Sequence, residues 1–115
     1  LMVAECIRAA AILEEEGISA GVIDIHTIKP IDREAIANAA ASTGCIVVAE
    51  EHFTDCGLGV KVAQVVCETN PCVMEFHGMG NYYAESGTPE EVLTKYKMTG
   101  ADVAETARKA LARKK

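Results

Sequence analysis

The chain has 115 residues and a mass of 12.2 kDa, and half of its residues are hydrophobic, which fits one domain with a real core and excludes a disordered chain. A net charge of -6 and a pI of about 5.0 exclude a general affinity for nucleic acid, and no apolar run is long enough to cross a membrane. Cys6, Cys45, Cys56, Cys67 and Cys72 contain no CxxC pair, so no zinc site starts here, and reduced thiols in a cytoplasmic protein are the simplest expectation.

Residues 2 to 16 read as a helix with Val3, Cys6, Ile7, Ala10 and Leu13 on one face and Gly17 just past its end. No cap precedes it. The chain opens at Leu1 already in helical pattern, which raises the expectation of a piece from a longer polypeptide. "AGVIDIHTI", 20 to 28, is β-branched and short, and predicts a strand. His26 falls inside it and is expected to be partly buried and satisfied. Pro30 ends this run, and Asp32 is placed to cap a helix over about 33 to 42 with Ala35, Ile36, Ala39 and Ala40 inward.

"GCIVVAE", 44 to 50, is apolar without alternation, as a parallel strand covered on both faces would be. A helix is expected from Gly57 to about Thr69 with Val60, Ala63, Val66 and Cys67 inward, then a third strand over 72 to 76. His77 opens the loop "HGMGNYYAESG", in which Tyr82 and Tyr83 either cover the core or anchor a partner. Thr88, Pro89 and Glu91 form the start signature of one helix; Thr99 and Asp102 repeat the device for the last, which runs to about Arg113. The basic residues at the end of that helix, Arg108, Lys109, Arg113, Lys114 and Lys115, read as dipole complement and solvation. Strands alternating with helices imply an α/β fold with a mostly parallel sheet in three α/β/α layers.

The densest stretch is "EEHFTDCGLG", residues 50 to 59. Glu50, Glu51 and His52 sit where a parallel strand ends, and Gly57 and Gly59 where a helix begins. That end of an α/β sheet collects ligands, so the five residues form a candidate anion site. The structural reading stands beside it: glycines that allow close packing, and carboxylates that serve an interface. GxG without a third glycine is a weak nucleotide signal, and Asp55 would repel a phosphate. No nucleophile elbow, phosphate loop or metal-ligand cluster is present, so no catalytic, cofactor or metal residue is assigned.

"GVIDIHTIKPIDREAI", "GCIVVAEEH" followed by "GLG", and "ESGTPEEVLTKYKMTGADVAETARKAL" occur in this order across essentially the whole chain. This series resembles the C-terminal domain of transketolase, above all the split kind whose C-terminal half is a separate subunit. Related domains occur in deoxyxylulose-phosphate synthase, in 2-oxo acid dehydrogenase beta subunits and in pyruvate:ferredoxin oxidoreductase. The resemblance implies a five-stranded mixed sheet in which the strand ahead of the first helix is interior. It also implies a parent enzyme that moves a two-carbon ketol unit between sugar phosphates, in the pentose phosphate pathway, with thiamine diphosphate and Mg2+.

In that family the cofactor lies between two other domains, so no cofactor ligand is expected in this domain alone. Its expected partners are the N-terminal and pyrimidine-binding domains or subunit, together with further copies in a dimer or larger homo-oligomer. Neither nucleic acid nor membrane is among them. The family often has Gly-Gly where this chain has Cys56-Gly57. The alternatives are another thiamine diphosphate enzyme, such as a 2-oxo acid dehydrogenase subunit or deoxyxylulose-phosphate synthase, and a non-catalytic regulatory module that binds an anion at the strand ends.

Overall fold

A computed structural model describes residues 1 to 115. The element order is α1 (Met2–Glu15), α2 (Arg33–Thr43), β1 (Cys45–Phe53), α3 (Leu58–Glu68), β2 (Val73–Met79), α4 (Pro89–Lys95) and α5 (Gly100–Arg113). β1 and β2 pair in parallel, with Cys45 opposite Val73 and Ala49 opposite His77. Helices α1 and α5 pack together and on one face of this pair, and α2 and α3 pack on the other, giving three α/β/α layers.

Each interface has its own core. Met2, Ala9, Leu13, Leu93, Met98, Val103 and Ala104 fill the first, and Ile36, Ala40, Val48, Val62, Val65 and Val66 the second. Small and β-branched side chains let helices settle close to the strands, which is how a chain almost without aromatics reaches dense packing.

Local chemistry sets the helix ends. The Asp32 side chain accepts from the Ala35 amide at 3.0 Å and starts α2; Gly44, at φ +69°, ends it in the left-handed region where a side chain would be strained. Thr88 with Glu91, and Thr99 with Asp102, close reciprocal capping boxes on α4 and α5.

Five expectations are corrected. Residues 20 to 28 form no strand: they have no regular secondary structure and make no backbone hydrogen bond, and no strand lies beside them to complete a ladder. Ile25 rests on the second core, whereas Val22, Ile23 and Ile28 stay 40 to 50 % exposed. His26 is therefore exposed, with Nδ1 only 2.7 Å from the Thr27 hydroxyl.

The inward face of α1 is rotated from the one periodicity suggests. Met2, Glu5, Ala9 and Leu13 are buried, and Val3 and Ile7 are exposed. A buried glutamate among them hid the true stripe. In α3 the buried set is Gly59, Val62, Val65 and Val66, so Val60 and Cys67 face out. His77 lies within β2 and is buried, not at the head of a loop.

Candidate functional site

The five candidate residues sit where β1 meets α3. β1 runs on to Phe53, so Glu51 and His52 belong to the strand and not to its end. Its pairing with β2 is irregular there: from Ala49 to Phe53 the strand advances four residues while β2 advances two, from His77 to Met79. Extra residues in one strand bend it and re-aim its side chains. Gly78 lies across from this irregularity, and a Cβ there would fall 2.7 Å from the His52 carbonyl and 3.2 Å from that of Glu50.

The bend leaves Glu50 buried and aimed at the start of α3. Its Oε2 accepts from the Leu58 amide at 2.6 Å and its Oε1 from the Gly59 amide at 3.0 Å. These are two of the N–H groups that a helix start leaves without internal partners. A carboxylate is also favoured at the positive end of the helix dipole. Gly57 and Gly59 give this carboxylate its space: a Cβ at Gly57 would lie 2.0 Å from Glu50 Oε2, and one at Gly59 would strike the Phe76 ring at 2.4 Å. Cys56, one position earlier, points outward and is exposed, so only the second position of the Cys56-Gly57 pair demands glycine.

Glu51 and His52 do not join this arrangement. Both are exposed; Glu51 lies 3.6 Å from the amino group of Leu1, and the His52 ring nitrogen Nδ1 lies 3.2 Å from the Phe53 carbonyl. Cys56 Sγ is 3.8 Å from the same nitrogen. Partial desolvation pushes the Cys56 thiol up, and the negative charges of Asp55 and Glu50 add to this, so it stays a protonated and weak nucleophile.

A second glutamate repeats the device on the opposite layer, and sequence reasoning missed it. Glu5 on α1 is buried, accepts from the Gly100 amide at the start of α5 at 2.7 Å, and is paired with Arg8. A Cβ at Gly100 would fall 2.7 Å from Arg8 Cβ, so α1 and α5 touch almost backbone to backbone. No local pattern announces a partner 95 residues away.

Thiamine diphosphate with Mg2+ is the group that the resemblance implies. The residues at α3 do not fit its diphosphate: the two amides that would hold a phosphate already hold a carboxylate, and its charge would repel one. No cluster of three His, Cys, Asp or Glu side chains is arranged to hold a metal ion.

The sequence matches the family model for the transketolase C-terminal domain over residues 1–103. The chain belongs to that family. It is 33% identical over 114 residues to the 6-deoxy-6-sulfo-D-fructose transketolase subunit of Clostridium sp. (strain MSTE9), covering 99% of this chain and 35% of the relative. It is 34% identical over 102 residues to the 1-deoxy-D-xylulose-5-phosphate synthase of Heliobacterium modesticaldum, covering 88% of this chain and 16% of that enzyme. Among solved structures, a split gene transketolase described as an inactive beta4 tetramer superposes with a TM-score of 0.93 at 43% identity, over 99% of this chain and 37% of that one. The chain thus spans 16 to 37% of the length of these relatives. The fold of the transketolase C-terminal domain accounts for the three layers and the parallel pair described above.

Proposed function

We propose that this domain serves a transketolase, which moves a two-carbon ketol unit between sugar phosphates, and that it contributes packing and subunit interface while other domains hold thiamine diphosphate and Mg2+. The observation that carries the reading is the Glu50 carboxylate on the Leu58 and Gly59 amides. It turns the most ligand-like corner of the fold into an internal brace. Glu51, His52 and the exposed turn that follows them then face outward as interface residues, beside Phe53 and Val60, both more than 40 % exposed.

Apolar residues without partners support a docking role. Val3 and Ile7 on α1, and Val22, Ile23 and Ile28 on the unpaired segment, lie open to solvent in the single chain. A β-branched segment with unpaired backbone and an apolar surface is what an added strand completes. In this reading the rest of the enzyme supplies that strand, and the N-terminal and pyrimidine-binding domains or subunit cover the surface around it. The related split gene transketolase is an inactive tetramer of beta subunits, which supports association between copies and a need for the remaining half before activity appears.

Assays of the complete enzyme separate this reading from its relatives. Ketol transfer from a ketose phosphate to an aldose phosphate is the expected activity. Turnover of a 2-oxo acid instead, or condensation of one with an aldehyde phosphate, would move the domain to another thiamine enzyme.

A further inference from the structure

His77 holds a buried side-chain atom without a partner. It lies on β2 facing α5, is 8 % exposed, and its Nδ1 is 2.8 Å from the Thr106 hydroxyl. That hydroxyl donates within α5 to the Asp102 carbonyl at 3.2 Å, so it accepts from the ring. The proton of the neutral imidazole therefore sits on Nδ1, and Nε2 is left as a bare lone pair with no hydrogen-bond partner. On β1 the residue opposite is the apolar Ala49.

We propose that His77 is an acid-sensitive latch between β2 and α5: neutral and seated in the closed domain, it weakens the docking of α5 when Nε2 takes up a proton. The physical basis is the cost of a charge in a buried seam where Nε2 makes no hydrogen bond. Burial is the largest influence and pushes the His77 pKa below its ordinary value. The Asp102 carboxylate and the Lys97 main chain favour the charged ring and oppose this; the Lys109 ammonium disfavours it. Burial prevails. A histidine with a depressed folded pKa stabilises the closed form fully above the unfolded value of about 6.5, and that contribution is lost as pH falls through the folded value.

α5 is the element that responds, since it bridges both strands and α1. Its docking buries Val103, Ala104 and Ala110. An acid-loosened α5 would expose the first core without disturbing the second, which lies on the other face of the sheet.

The test is amide hydrogen exchange on the complete protein between about pH 7.5 and about pH 5.5, a range that brackets ordinary histidine titration. Rates are corrected for intrinsic pH dependence. Protection of residues 103 to 110 is expected to fall severalfold toward the acid end in the wild type and to stay constant in His77→Gln. Equal pH dependence in both proteins overturns the proposal. Should the variant fail to fold, exchange of the imidazole C2 hydrogen in the wild type decides: a His77 midpoint below about 6.5 supports the latch, and one at or above it overturns the latch.

Discussion

Gly57 passes so close to Glu50 that a Cβ at that position would lie 2.0 Å from the carboxylate oxygen that accepts the Leu58 amide. Strand, turn and helix are locked by this one relationship. The carboxylate is buried, its charge is answered by the helix start, and the glycine is what lets the two approach.

Glu50→Ala leaves the amides of Leu58 and Gly59 without their acceptor inside the protein. Hydrogen bonds to charged groups contribute about 1.5–3 kcal/mol each, and the two share one carboxylate, so a loss of about 2–3 kcal/mol is expected. Glu50→Gln keeps one acceptor oxygen and is expected to lose less. Urea unfolding of the three proteins checks the order. Equal midpoints for Glu50→Ala and wild type would remove the brace.

Gly78→Ala is expected to cost about 1–3 kcal/mol, the range of overpacking in a dense site. The added methyl meets the main-chain carbonyls of His52 and Glu50, which cannot swing aside as a side chain could. Gly21→Ala meets nothing within 4 Å and serves as the neutral control. Thermal unfolding that ranks the two variants together would contradict the crowding at Gly78.

Thr88→Ala removes the hydroxyl that accepts the Glu91 amide at 3.3 Å and breaks the capping box of α4. About 1 kcal/mol of stability is expected to go with it. Chemical denaturation should show a lower midpoint at unchanged slope; an unchanged midpoint would take Thr88 out of that role.

Glu16 and Arg108 tie the end of α1 to α5. The hydrogen bond from Arg108 is the main reason the Glu16 carboxyl lies below the ordinary carboxylate value. A depressed carboxylate stabilises above its unfolded value, about 4.3, and the contribution fades as pH falls through the folded value. Arg108→Ala should therefore melt below wild type near neutral pH, and the gap should close in acid and shrink in high salt. A gap that persists unchanged at low pH would mean that Arg108 acts through packing alone.

Fold class and the side-chain-capped helix starts were legible in the sequence, the caps because they rest on local chemistry. Asp32, Thr88 and Thr99 cap the helices that their positions announce. What depends on distant residues was not legible. Glu5 and Glu50 look like solvated charges until the amides of Gly100, Leu58 and Gly59 are placed beside them. The unpaired state of 20 to 28 has the same origin, since β propensity describes a segment and a ladder needs a neighbour. The Glu50-to-Gly59 stretch runs from β1 through a turn into the start of α3, an order its residue pattern suggests. The side chain that fills that start was out of reach, because whether Glu50 points in or out depends on the irregularity against β2.

The claim that this domain acts as a docking piece is tested most directly by amide exchange of residues 21 to 28, measured once in the 115-residue chain and once in the assembled enzyme. In the single chain these amides have no backbone partner and should exchange as fast as an unstructured peptide, while the paired amides of β1 and β2 are protected. In the assembled enzyme they should become protected like a sheet interior. Protection already present in the single chain, or none gained on assembly, would contradict the account.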